Sequence, residues 1–206
     1  MNELKQMFSK FSHSHHFTDI FYDWVTVTAI SISNFIIFNE DDENLYLTIL
    51  KKYTNDEIEM FSKMTAMLTM LFEENAYDYL GELYMQCAGS SNKLGQFFTP
   101  YHLAQLNARL SLQNYNGDLI NISEPSCGGS GMIIATAEEL QNSGFNYQEL
   151  MNVVASDLDV RCVYMSYVQL SLLGINAKVI HENSLTNERF KVLYTPMHVL
   201  KGGFRE

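Results

Sequence analysis

The chain has 206 residues, 47% of them hydrophobic, and a formal net charge of −11. That is enough apolar residue for one large domain or two small ones with a sizeable core, and it excludes a disordered chain. So acidic a chain lacks the basic face that phosphate contacts need, and nucleic acid is expected to bind only with a partner that supplies specificity or positive charge.

Residues 1–60 hold ten acids against four bases, so the N-terminal part is the more repulsive to DNA. Met1 to Phe17 is polar and His-rich, unlike a signal peptide. The cluster His13, His15 and His16 has metal-ligand chemistry, but an exposed polar N-terminus is the favoured reading. The apolar stretch Trp24 to Phe38 is interrupted by Thr26, Thr28, Ser31, Ser33 and Asn34 and is too short and polar to span a bilayer. Cys87, Cys127 and Cys162 lack metal-type spacing and fit free thiols in a reducing compartment, so a cytoplasmic location is expected.

In chain order, Thr18 or Asp19 caps an expected helix running to about Phe38, with Ile20, Trp24, Val27, Ile30 and Phe35 on one side. Asn39 to Asn44 reads as an acidic break, followed by a helix over Leu45–Tyr53. Asn55 then reads as an N-cap, with Asp56, Glu57 and Glu59 in the first turn of a helix carrying Ile58, Phe61, Met64, Met67, Leu68 and Leu71. Those methionines read as core filler rather than a ligand box. A shorter helix covers Tyr77–Cys87, and Ala88 to Lys93 reads as a linker.

Beyond the linker the pattern changes. A helix over Pro100–Gln113 precedes alternating strands and helices: Leu119–Ser123, Met132–Gln141, Asn152–Ser156, Val160–Leu173, Ala177–His181 and a short fourth strand at Val192–Thr195. Alternation implies a parallel sheet with right-handed crossovers. The expected fold is therefore α/β, with a helical N-terminal domain over residues 1–90 and a short Rossmann-like domain of about four parallel strands over residues 91–206.

Ligands of such sheets sit at the carboxyl ends of the strands. The first strand ends in Glu124, Pro125 and a turn of small residues, Ser126-Cys127-Gly128-Gly129-Ser130-Gly131, which lets the backbone approach a flat polar ligand. The second ends in Asp157, read as a bidentate acceptor for ribose hydroxyls, while Asp159 reads better as the N-cap of the next helix. The third is followed by Glu182, Asn183 and Ser184. The turn has neither Gly-x-Gly-x-x-Gly nor Gly-Lys-Ser/Thr, which disfavours a dinucleotide fold or a P-loop but leaves room for a nucleoside without phosphates. His102 either faces such a ligand or sits on the surface.

These segments resemble the N6-adenine DNA methyltransferases related to the modification subunit of type I restriction systems. Gly95-Gln96-Phe97-Phe98-Thr99-Pro100 is similar to that family's entry motif, and Glu124-Pro125-Ser126-Cys127-Gly128-Gly129-Ser130-Gly131 to its cofactor loop. Asp78-Tyr79-Leu80-Gly81-Glu82-Leu83-Tyr84 resembles the helix preceding both, and the stretch from Gln169 to Leu185 the strand-three region. The resemblance implies S-adenosylmethionine as cofactor. It implies Phe98, Thr99 and Pro100 against the methionine end, Glu124, Pro125, Cys127, Gly128 and Gly129 in the loop, Asp157 at the ribose and Asn183 near the adenine edge.

The sequence also departs from the family. Glu124 stands where the family has Asp, Asn183 where an acid is usual, and Ser130 where the second loop glycine falls. If that position needs a positive φ, serine costs about 1 kcal/mol. The family's Asn-Pro-Pro-Phe/Tyr motif is absent; Tyr194, Thr195 and Pro196 are the nearest catalytic candidates. Eight residues follow His198, so the later strands and a target-recognition domain are expected to be absent. Two readings follow: an S-adenosylmethionine-dependent adenine-N6 DNA methyltransferase, or a catalytically inactive binding module acting through protein partners in restriction control or mobile-element defence. An open fourth-strand edge would favour a homodimer or a cover made by the N-terminal helices.

Overall fold

The computed structural model describes residues 1–11, 15–88 and 98–203, with the backbone alone at Cys87 and Ala88. His13 and most of the expected linker lie outside those residues, as does the expected domain boundary at 90/91.

The N-terminal part is helical: α1 (Asn2–Phe8), α2 (Phe17–Ile36), α3 (Glu40–Leu50), α4 (Asn55–Glu74) and α5 (Tyr79–Ala88). The helix starts differ from the sequence expectation for capping reasons. Asn39 accepts from the Asp42 N–H at 3.0 Å, so the acids Glu40 to Glu43 form the favourable first turn of α3 rather than a break. Thr54, not Asn55, caps α4: its hydroxyl accepts from Glu57 N–H while the Glu57 carboxylate accepts from Thr54 N–H at 2.9 Å, a capping box. His16 precedes α2 without a side-chain cap, so neither Thr18 nor Asp19 fills that role. The face of α2 carrying Ile20, Trp24, Val27 and Ile30 is buried as its spacing predicts, and Met64 of α4 is core. Phe35, beyond the packed part of α2, is exposed. Trp24 Nε1 donates to Thr65 Oγ1 at 2.9 Å, tying α2 to α4.

Next come α6 (Tyr101–Ser111), β1 (Ile120–Glu124), α7 (Gly131–Asn142), α8 (Tyr147–Leu150), β2 (Met151–Asp157), α9 (Val160–Leu172), β3 (Asn176–Asn183), β4 (Glu188–Tyr194) and α10 (Pro196–Leu200). The sheet order is β1-β2-β3-β4. The first three strands are parallel, but β4 pairs antiparallel with β3. This corrects the expectation of a fourth parallel strand. The four residues between Asn183 and Glu188 can close a hairpin but cannot carry the crossover of a dozen or more residues that a parallel strand needs. Asn187, at φ 58, supplies the left-handed turn position.

Two right-handed crossovers in one direction put α7 and α9 on the same face of the sheet. On that face Val153, Ala155, Ala177 and Val179 are at most 4% exposed. The α9 helix lies between the sheet and the N-terminal helices, with α2 packed on its outer side. Buried apolar residues from Leu4 through Trp24, Leu80, Val163 and Val179 to Leu193 form a single cluster. On the other face, Asn121, Asn152 and Asn176 form a hydrogen-bonded row across three strands. At β4, Lys191 pairs with Asp42 of α3, while Glu188, Arg189 and Phe190 stay exposed. No helix among the described residues is long and apolar enough to cross a membrane, and no group of three or more His, Cys, Asp or Glu among them could hold a metal ion.

Candidate cofactor site

The carboxyl ends of β1, β2 and β3 carry Glu124, Asp157 and Asn183 on neighbouring strands. The turn after β1 is held from three sides. Cys127 N–H donates to Ser156 O at 2.9 Å, Ser130 N–H to Cys127 O at 2.7 Å, and Gly128 N–H to Asp157 Oδ2 at 2.9 Å. The other oxygen of Asp157 accepts from Asp159 N–H at 2.9 Å, and Asp159 in turn caps α9 by accepting from Arg161 N–H. The second-strand acid thus fixes the turn to the start of the next helix.

Two residues of the turn are left-handed, Gly128 at φ 53 and Ser130 at φ 71. A Cβ at Gly128 would come within 3.0 Å of the Phe98 ring, so glycine there serves both conformation and close approach. Ser130 does adopt a positive φ, the condition under which serine in place of the family's glycine carries a conformational cost. It is fully buried, and its hydroxyl pairs with that of Ser166.

Between this turn and α6 lies a cavity of about 420 Å³, within the range of small-molecule sites. Of the residues expected to bind a cofactor, Phe98, Thr99, Glu124, Cys127, Gly128 and Gly129 line it. Pro100 immediately precedes α6. The Pro125 carbonyl accepts from Ser184 Oγ at 2.8 Å, joining the turn to the end of β3. Asp157 stands one hydrogen bond behind the cavity wall. The Asn183 carboxamide oxygen accepts from Leu185 and Thr186 N–H groups, so it also holds its own turn. Burial pushes the Cys127 thiol up to about 12, which keeps it protonated and excludes a thiolate role.

The structure does not bring Tyr194, Thr195 and Pro196 to this site. Because β4 runs antiparallel, Tyr194 pairs with Lys178 near the start of β3, at the opposite end of the sheet, and a seven-residue strand spans roughly 20 Å. Thr195 is fully buried there; its hydroxyl donates to Ile175 O at 2.7 Å and accepts from Ala177 N–H at 3.0 Å.

The structure adds residues that sequence reasoning had not assigned to the site. Asp78, just before α5, lines the cavity, as do Leu103 and Asn107 of α6 and Met132 of α7. The α6 helix is seated by small residues, Ala104 and Ala108 against Ala135. Behind the cavity, fully buried Gln169 of α9 donates to Asp78 Oδ1 at 2.8 Å and to Gly129 O at 2.6 Å, and accepts from Leu80 N–H at 3.1 Å. Burial raises the Asp78 carboxyl to about 6, against the lowering effect of its Gln169 and Gly81 hydrogen bonds. A carboxylate within a motif already set beside the glycine turn was the available signal.

No curated protein sequence matches the chain. Among solved structures, one from Listeria monocytogenes described as a class I S-adenosylmethionine-dependent methyltransferase matches with a TM-score of 0.50 at 15% identity, over 90% of this chain and 55% of that one. The likeness is one of fold, and the chain spans about half the length of that structure. The family model described as N-6 DNA Methylase matches residues 72–200, which run from the end of α4 through Asp78, the glycine turn and all four strands. That is more than half of the sequence, and the chain belongs to the N-6 DNA methylase family.

Proposed function

We propose that this chain is the cofactor-binding part of an adenine-N6 DNA methyltransferase of the type I modification-subunit kind, and that it holds its cofactor in the cavity beside the glycine turn. S-adenosylmethionine is the cofactor that the family and the fold imply. The residues present fit it. The bare backbone at Gly128 and Gly131 faces a cavity whose wall carries two carboxylates, Asp78 and Glu124, and one aromatic ring, Phe98. Carboxylates suit an ammonium and hydroxyls, and an electron-rich ring suits a sulfonium. The bound cofactor supplies an electrophilic methyl group.

The chain's own residues bind and orient. Asp157 locks the turn, and each of its oxygens keeps a second lone pair for a ribose hydroxyl. Asn183 retains its amide N–H groups for the adenine edge. Phe98 and Leu103 exclude water from one side of the cavity.

The observation that carries this reading is the clamped turn, whose left-handed glycine packs so closely on Phe98 that a Cβ would sit 3.0 Å from the ring. Titration calorimetry tests it. S-adenosylmethionine should bind, and Asp157→Ala should weaken binding about tenfold, the loss expected for a charge-assisted hydrogen bond. Absence of binding at millimolar cofactor would overturn the reading.

A second reading has a specific observation in its favour: Tyr194, Thr195 and Pro196 stand at the far end of the sheet from the cavity. On that reading the chain binds cofactor without transferring methyl groups and acts through a protein partner or a second copy. The net charge of −11 suits either reading to a partner that supplies the DNA contacts. Methyl incorporation into unmodified DNA by the chain alone would exclude the second reading, whereas binding without incorporation would support it.

A further inference from the structure

Asp78 is 6% exposed, and its two carboxylate oxygens do different things. Oδ1 accepts from Gln169 Nε2 at 2.8 Å and from Gly81 N–H at 3.0 Å, which satisfies the first turn of α5. Oδ2 accepts no hydrogen bond and joins no ion pair among the described residues. It lies so close to the first residue of α7 that a Cβ on Gly131 would sit 2.8 Å from it. An asparagine could serve α5 and Gln169 equally well through one oxygen, so capping leaves the charge unexplained. A carboxylate withdrawn from water without a cation is costly, and this one opens into a cavity large enough to admit one.

We propose that Asp78 accepts the α-ammonium of S-adenosylmethionine on Oδ2 and so holds the amino-acid end of the cofactor against the first turn of α7. The inference rests on the cavity being the cofactor site. Chemistry selects the ammonium: it is the cofactor's one cationic hydrogen-bond donor, since the hydroxyls and the adenine amine are neutral and the sulfonium has no proton to donate. A charged donor to a carboxylate forms a shorter, stronger bond than a neutral one. Among the described residues, the groups facing Asp78 offer no rival cation. Glu82 lies on its own helix, Tyr77 just before it, Tyr101 on α6 and Glu124 across the cavity. Gln169 and Met165 of α9 are neutral, and Cys127 of the turn is protonated. One consequence is that the N-terminal helical segment supplies part of the cofactor site.

Calorimetry on the full chain tests the proposal with two ligands, S-adenosylmethionine and S-adenosyl-4-methylthio-2-oxobutanoate. The second carries a keto oxygen in place of the ammonium and keeps the carboxylate, sulfonium and nucleoside. Near neutral pH the unaltered chain should prefer S-adenosylmethionine by about tenfold or more, and Asp78→Asn should reduce that preference to about twofold or less. Without any variant, the preference should also shrink between about pH 7 and pH 5 as the carboxylate takes up a proton. A preference that survives in Asp78→Asn, that ignores this pH change, or that the unaltered chain never shows would overturn the role of Asp78 and leave the cofactor reading standing. Failure of the unaltered chain to bind either ligand would instead overturn the cofactor reading itself.

Discussion

Asp78 has a measurable consequence in the ligand-free protein. Burial raises its carboxyl to about 6, against about 3.9 for aspartate in an unfolded chain. The fold therefore binds this proton more tightly than the unfolded chain does. The stability it contributes is fully present below about pH 4 and is lost as the pH rises through about 6. Above that range the ionised group costs up to about 3 kcal/mol. Asp78→Asn keeps an acceptor for Gln169 and Gly81 and removes only the charge. Urea unfolding should accordingly find the variant more stable than the parent by about 1–3 kcal/mol near pH 7.5, with the advantage gone by about pH 3. An equal difference at both pH values would mean that the carboxylate is not ionised at a cost in the fold.

At the scale of elements, the decisive feature is the direction of β4. Thr195 ends that strand and joins it to α10, with its hydroxyl inserted between Ile175 O and Ala177 N–H. Thr195→Val keeps the shape and leaves both groups short of a partner, which should cost about 1–3 kcal/mol in urea unfolding. Cofactor affinity should stay within about twofold, because the change lies at the other end of the sheet. A large loss of affinity with stability intact would return Thr195 to the site.

The same strand marks where sequence reading runs out. The alternating apolar residues near Val192 announce a strand, but alternation is the same for either direction; the four-residue link to β3 decides it. The parallel strands, their helices and the turn at Gly128 were legible, since each depends on local spacing and on small residues at a strand end. Asp78 was legible only as part of a motif. Its role depends on Gln169, 91 residues later in the chain, and on burial that no local pattern encodes.

Across the whole molecule, the N-terminal helices and the sheet share one buried apolar cluster, and the cavity draws on both through Asp78 and Glu124. Trp24 is the chain's single tryptophan, 1% exposed on α2 and far in sequence from the glycine turn. It therefore reports on the helical part alone, whereas far-ultraviolet circular dichroism reports on all of it. A continuous core predicts coincident transitions by the two probes in urea. Saturating cofactor, which contacts no residue of α2 in the proposed site, should move both midpoints upward together. At a ligand concentration of about one hundred times Kd the gain is about 2.7 kcal/mol. If the helices formed a separate folding unit, cofactor would leave the Trp24 transition where it was and shift only the part of the dichroism that comes from the sheet domain. A joint shift would mean that binding at the turn is energetically linked to packing as distant as α2, a linkage that Asp78 and Gln169, joined across α5, the turn and α9, are positioned to provide.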